Sequence, residues 1–433
     1  MIDVDSILLA AKTTFFLLWQ MLCYLFGRKR IDCIRKIATF LSSYNIVYSK
    51  TFQSLSSGAD LLTNIEMEYL SRFNDNVPYL EEELPDLDEL EEQINKDRQA
   101  NRLVIERNPK GPEASGMIAL VYYGTLGNKD VVIKVKRKNI DERLHQAIDK
   151  MRLLVKISTW LPYLRRMNLY TVFEENESDM YKQVLFKKEA DNLSKMGLQF
   201  ANTDYVKIPW VDTSITESNN NVIVMERLRG KKLKQLDNNE KNDYGLLVAQ
   251  YSLKSVLYDK MYHADLHSGN ILFMEEETDE IMTKKLGIID FGIVGEISRE
   301  EQEDFTEFFI KMFLKDEPTE AAKIIASRLV APSDVYNSMS KDRKELLYKD
   351  MAETINNIVY NSEVLNVMTI YKINKLLFNY NLTLSRPFCR IQLSLAVSAS
   401  VSNELCNNGE TYIDHIKKTM DKMNNTTTCI MEY

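Results

Sequence analysis

A change of hydrophobic period near residue 100 most constrains how this chain can fold. From 31 to 80, apolar residues recur at helical spacing. Then Leu103-Val-Ile, Ile118-Ala-Leu-Val-Tyr-Tyr and Val131-Val-Ile-Lys-Val read as short strands, rich in β-branched and aromatic side chains. Between the last two lies Gly127-Asn-Lys-Asp, a hairpin turn whose glycine can reach positive φ. Residues 141–165 and 180–198 return to helical spacing, and Asn221–Met225 is a further strand, ending at Glu226 and Gly230. From 240 onward the pattern is helical, with one strand at Leu286–Ile289. No repeat of 20–50 residues interrupts this order. Helices, a small sheet with a helix inserted, then a helical half define an α+β, two-lobed chain. The expected divisions are an apolar segment at 1–30, a helical extension at 31–100, a sheet-bearing lobe at 101–228 and a helical lobe at 229–433.

Composition removes several classes. With 45% hydrophobic and 27% charged residues, most of the chain reads as a packed globular protein. A net charge of −8 argues against binding nucleic acid through a basic face. The five cysteines form no C-x-x-C pair, which disfavours zinc ribbons, thioredoxin-type motifs and a disulfide framework, and fits a reducing compartment.

Ile7 to Phe26 is an apolar stretch of the length a membrane span needs, interrupted by Lys12 and Gln20 and weakened by Thr13 and Thr14. Lys12 is near one end, where it could snorkel, and Arg28-Lys-Arg follows at once. Asp3 and Asp5 argue against a secretory signal and a transit peptide. Two readings stay open: a membrane-contacting segment, or a buried or interfacial helix of the fold. The acidic run 81–92, with Pro85 inside it, reads as a solvated linker or exposed helix.

The strongest chemical signal is Tyr262-His-Ala-Asp-Leu-His-Ser-Gly-Asn270, followed twenty positions later by Asp290 in Leu286-Gly-Ile-Ile-Asp-Phe-Gly292. An Asp, an Asn five positions on, and an apolar strand ending in Asp-Phe-Gly form the protein-kinase arrangement. A triphosphate needs Mg²⁺, which prefers hard oxygen ligands. Asn270 and Asp290 can supply them, while Asp265 can accept a proton from the attacking hydroxyl or water, or orient it. His263-x-Asp265-x-His267 could instead hold zinc or iron. With Asn270 and Asp290 in place, the two histidines read rather as hydrogen-bonding groups of the loop. Upstream, Val131-Val-Ile-Lys134-Val matches the phosphate-binding lysine strand, with Lys136 a decoy on the same strand face. Glu189, in a predicted helix between Lys134 and the 222–225 strand, stands in order for its partner. Glu226-Arg-Leu-Arg-Gly230 fits a hinge whose backbone would meet adenine.

Two departures narrow the substrate. No G-x-G-x-x-G precedes Lys134, where the loop is Gly111-Pro-Glu-Ala-Ser-Gly-Met117. No activation segment follows Gly295. The chain reaches the capping box Ser298-Arg-Glu-Glu301 at once, then a helix with Phe305, Phe308, Phe309, Met312 and Phe313 on one face. Without a peptide platform, the acceptor is expected to be a small molecule, a lipid or water.

Together these residues resemble the UbiB/AarF family of atypical kinases, the group containing the coenzyme Q-linked ADCK proteins. The family's H-A-D-P-H-P-G-N appears as His263–Asn270, its I-D-F-G-M-V-G as Ile289–Gly295, its V-K-V-Q-R as Ile133–Arg137 and its E-A-x-N as Glu189–Asn192. Its K-x-G-Q aligns with Lys50-Thr-Phe-Gln53, and Asp60 to Pro78 matches the stretch leading to D-x-V-P. The resemblance covers roughly 45 to 300. It implies a bilobal protein-kinase-like fold with a helical N-terminal extension, ATP and Mg²⁺ as cofactors, and nucleotide contacts from the altered alanine-rich loop at Ser115 and Gly116. Family members carry an E-x-D motif that meets the K-x-G-Q helix. Here both acids are replaced, by Gln183 and Leu185, and Phe52 replaces a glycine. The expected activity is a UbiB-type kinase or ATPase, with Lys134, Glu189 and Asp265 catalytic and Asn270 and Asp290 holding metal. The alternative is a pseudokinase-like module that binds nucleotide, lipid or a partner. A link to isoprenoid lipids follows from the resemblance only. The last hundred residues carry no motif with a chemical reading.

Overall fold

The computed structural model describes the chain outside residues 1–3, 50–62, 71–72, 74–76, 159–172, 174–176, 178–179, 279–280, 361–366, 407–408 and 427–433. The chain forms two compact units, Met1–Ser194 with Trp210–Arg227, and Lys195–Pro209 with Leu228–Tyr433. The excursion 195–209 joins the second unit because its strand β5 (Val206–Lys207) pairs in parallel with β9 (Ile281–Ile288). Alternating periodicity cannot reveal so short a strand.

In the first unit, β1 (Leu103–Ile105), β2 (Ala114–Ser115), β3 (Ala119–Leu126), β4 (Lys129–Lys136) and β6 (Val222–Glu226) form one antiparallel sheet, ordered β1-β3-β4-β6 with β2 also on β3. The β3–β4 turn has Gly127 at φ 60°, the left-handed conformation a tight hairpin requires. Strict alternation puts Leu120, Tyr122, Val131, Ile133 and Val135 on one buried face, with Leu90 and Ile94 of helix Leu87–Asn95 in the same core. The opposite face carries Lys134 and Lys136. There Ile118 and Ile223 cluster with Ile140, Leu144 and Ile148 of helix Ile140–Ser158.

The acidic run is not uniformly solvated. Glu83 is buried against Arg137 and Arg143, and Asp86 caps helix Leu87–Asn95 by accepting from the Asp88 and Glu89 N–H groups at 3.1 Å.

At the N-terminus, helix Val4–Leu25 packs one side against helix Arg30–Tyr44, where Phe16 and Phe40 stack at 3.9 Å. Among the described residues no helix is long and apolar enough to cross a membrane.

In the second unit, helix Asn238–Leu257 is buried along its C-terminal two-thirds and packs against helices Arg386–Leu405 and Tyr412–Thr426. The small buried residues Ser394, Ala396, Ser398, Ala399 and Ser402 of Arg386–Leu405 allow that close approach. β7 (Met261–His263) pairs with β10 (Val294–Glu296), and β8 (Ile271–Thr278) forms a hairpin with β9. Sequence periodicity finds only the end of β9. It misses β8 because Glu275, Glu276 and Glu277 break the apolar pattern on an exposed stretch. Ser298 and Glu301 form the expected capping box of helix Arg299–Phe309. Phe305, Phe309 and Met312 are buried, but the apolar face passes through a π-turn at Ile310–Leu314.

Candidate nucleotide site

In the first unit, Lys134 Nζ meets Glu189 Oε1 at 2.7 Å, and both side chains are less than a tenth exposed. Lys136, two residues on and on the same face, is taken by Asp141 at 3.2 Å and lies 5.6 Å from the centre of the Phe186 ring. The two lysines of this face thus have separate carboxylate partners. Glu189 sits in the first turn of helix Phe186–Gln199, which buries Ala190, Leu193 and Met196 at three-residue spacing.

Sheet register places the Ser115 side chain. Val121 lies opposite both Ala114 and Lys134, so these three share a face. Ser115 pairs with Leu120, which pairs with Val135, so its side chain lies on the other face, with the core. Its hydroxyl is buried and donates to the Val77 carbonyl at 2.6 Å. The Ser115 hydroxyl therefore stands away from any phosphate that Lys134 would hold. Gly116 donates its N–H to the Ala119 carbonyl at 2.9 Å, closing a tight turn. At the end of β6, Glu226 accepts the Trp210 N–H on its carboxylate at 3.3 Å and donates its own N–H to the Trp210 carbonyl at 2.8 Å. The first unit ends one residue later, at Arg227. Leu185 is 51% exposed and Gln183 half-buried, and neither offers a carboxylate. Lys50 and Gln53 lie outside the described residues.

In the second unit, the β8–β9 register of Ile271 opposite Ile288 fixes the geometry. Asn270 immediately precedes β8 and Asp290 closely follows β9, so both emerge at one end of the hairpin. The Ile289 N–H donates to the Asn270 carbonyl at 3.1 Å, and Asn270 Nδ2 donates to the Asp265 carbonyl at 3.0 Å. With its NH₂ end committed, Asn270 has its amide oxygen to offer a cation. The Asp290 carboxylate accepts the Gly292 N–H at 3.1 Å. A carboxylate and an amide oxygen are the hard donors Mg²⁺ takes, so the residues present fit that ion.

The histidines hold this cluster rather than a metal. His263 Nδ1 accepts the Asp265 N–H at 3.0 Å, so the proton sits on Nε2, which donates to the Asp290 carbonyl at 2.6 Å. Burial pushes its pKa down to about 4, against the pull of Asp290 and Asp265, so the ring is neutral. Both ring nitrogens are used, which removes the zinc or iron reading. His267 Nδ1 accepts the Gly269 N–H at 3.1 Å. Among the described residues no cluster of three or more metal-binding side chains exists.

Sequence reasoning missed three supports. Ser394, in the unread C-terminal hundred, donates its buried hydroxyl to the His263 carbonyl at 2.7 Å. Lys232 Nζ reaches the Gly269 carbonyl at 2.8 Å. Arg137 ties the 114–117 loop to the extension. The only available signals were the small-residue run around Ser394 and the arginine closing the lysine strand. Gly295 also acquires a reason, since a Cβ there would collide with the Tyr262 ring.

Residues 79–323 match the ABC1 atypical kinase-like domain, more than half of the chain. The chain belongs to this family. Among curated relatives of the ABC1-domain chain, a probable protein kinase UbiB from Marinobacter nauticus is 28% identical over 323 residues, covering 72% of this chain and 57% of the relative. A probable protein kinase UbiB from Tolumonas auensis is 27% identical over 328 residues, covering 74% and 59%. The chain thus spans under two thirds of the length of these relatives. Among solved structures, the Rv3197–erythromycin complex from Mycobacterium tuberculosis aligns over 90% of this chain and 95% of that one. Its TM-score is 0.51 at 15% identity, a likeness of fold alone. The kinase-like fold expected from sequence is therefore the fold of the family.

Proposed function

We propose that this ABC1-family chain binds MgATP and either hydrolyses it or transfers its terminal phosphoryl group to a small-molecule or lipid acceptor. The observation that carries the reading is the formed Lys134–Glu189 pair at 2.7 Å, which fixes the ammonium in one place on the strand. Lys134 neutralises phosphate oxygens and Glu189 orients it. Asn270 and Asp290 offer oxygen ligands to Mg²⁺, which when bound screens the phosphate charge. Asp265 orients the attacking hydroxyl or water and accepts its proton. A non-protein acceptor is supported by the chain path: strand β10 begins four residues after Asp290, and the Ser298 cap starts the next helix. The test is Mg²⁺-dependent phosphate release by the full chain. Loss in Asp290→Asn supports the reading. Equal rates in wild type and Asp290→Asn contradict it, and nucleotide binding without turnover selects the pseudokinase alternative.

A specific observation favours an added role for a membrane surface. Helix Val4–Leu25 exposes apolar side chains around much of its C-terminal half, with Phe15, Leu18, Trp19 and Leu22 on one side and Leu17, Met21 and Tyr24 on another, and Phe26 extends them. Arg28, Lys29 and Arg30 follow, the charge an anionic surface attracts. Co-flotation with anionic vesicles, lost in Trp19→Glu/Leu22→Glu, is the expected result. Equal flotation of that variant contradicts it.

A further inference from the structure

Arg137 stands three residues beyond Lys134, just past the end of β4, and its side chain is 1% exposed. A buried guanidinium needs acceptors for most of its N–H groups, and here both Nη atoms find them while the buried Nε–H has none. Nη1 donates to the Pro78 carbonyl at 3.0 Å and to Glu83 Oε2 at 2.7 Å. Nη2 reaches the Val77 carbonyl at 3.1 Å, Ser115 Oγ at 2.8 Å and the Gly116 carbonyl at 2.6 Å. Around this fork the backbone closes too. The Val77 N–H donates to the Ser115 carbonyl at 2.7 Å, and the Lys138 N–H to the Glu83 carbonyl at 2.8 Å. Arg143 binds the second oxygen of Glu83. The segment from Val77 to Glu83 is thus strapped across two places at once, the Ser115–Gly116 turn and the end of the lysine strand.

We infer that Arg137 is the positioning residue of the nucleotide loop, locking the Ser115–Gly116 turn to the strap 77–83 and so holding the loop in a single shape for phosphate. The inference rests on the MgATP reading above. The loop lacks the glycine-rich pattern that lets a backbone wrap phosphates, and the Ser115 hydroxyl faces away from Lys134. What the loop contributes is therefore backbone shape, and shape must be fixed from outside. A fork with five contacts does this at one point, and a lysine could not reproduce it. A loop free to wander pays its ordering cost when nucleotide binds, which weakens ground-state and transition-state binding alike.

That gives a signature that fold damage alone does not. Damage lowers the active fraction, and so kcat, at unchanged KM. Loss of positioning raises KM and Kd at unchanged kcat. MgATP Kd by calorimetry, together with KM and kcat, would be measured on the full chain for wild type, Arg137→Lys, Ser115→Ala and Lys134→Met. Arg137→Lys is expected to raise Kd and KM roughly tenfold with kcat within about twofold of wild type. Ser115→Ala, which removes only the hydroxyl bridge, is expected to raise both about threefold. Should Arg137→Lys fail to fold, Ser115→Ala decides. Unchanged Kd and KM in a folded Arg137→Lys, or in Ser115→Ala when it stands alone, overturn the inference while leaving the MgATP reading intact. No MgATP binding by wild type, with Lys134→Met indistinguishable from it, overturns that reading and this inference with it.

Discussion

Lys134 and Glu189 meet side chain to side chain, in a short ion pair almost out of water. Asp265, Asn270 and Asp290 are held by their backbones: their carbonyls accept from Asn270 Nδ2, the Ile289 N–H and His263 Nε2. The two groups of residues therefore couple to stability differently. Where a buried side chain is itself part of the strut, removing it takes an ion-pair partner from a charge in low dielectric. The Asp265 and Asp290 side chains remain half-exposed and can change at little cost to the fold, whereas Asn270 is buried with its Nδ2 committed to the Asp265 carbonyl.

Four substitutions or conditions bear on this contrast. Glu189→Ala should destabilise the fold by about 3–5 kcal/mol in denaturant melts, and adding Lys134→Met should recover much of that loss. An additive double variant would contradict the strut argument. Asp265→Asn should show the opposite profile. Turnover should fall about 10³-fold, or about 4 kcal/mol of barrier, while stability shifts by less than about 1 kcal/mol.

Acid should act on the backbone-held half. His263 is neutral when folded, with a pKa near 4, whereas the unfolded imidazole takes a proton near 6.5. Between those values the unfolded chain binds more protons. This contribution is complete above pH 6.5 and lost as pH falls toward 4, by on the order of 3 kcal/mol. Burial also depresses His415, which adds in the same direction. A urea midpoint flat from pH 7 to 4.5 would contradict the buried neutral imidazole. Smallest of all, Ser394→Ala should cost about 1 kcal/mol by removing the hydroxyl that holds the His263 carbonyl.

Much of this was legible in the sequence because the informative patterns are local. The β3–β4 hairpin shows in its alternation and Gly127, and the capping box shows in Ser298 and Glu301. Asp265, Asn270 and Asp290 show because one loop and one strand fix their spacing. What stayed hidden depends on partners distant in sequence. Glu83 lies in an acidic run that composition assigns to solvent, and its burial follows from Arg137, 54 residues on. Ser394 touches His263 across 131 residues, with no local pattern to announce it. Resemblance to the family's alanine-rich loop puts Ser115 among the nucleotide contacts, without saying which way its side chain faces. Strand parity places it on the core face, and β2 is too short for periodicity to show that parity.

The most direct test of the central claim is thermal unfolding of the full chain with ATP, with and without Mg²⁺, beside Asp290→Asn. Ligand at about 100 times its dissociation constant adds roughly 2.7 kcal/mol, enough to raise the midpoint by a few degrees. A rise that requires Mg²⁺ in wild type and vanishes in Asp290→Asn is the predicted result. No rise in a well-folded wild type, or an equal rise in the variant, would contradict the account.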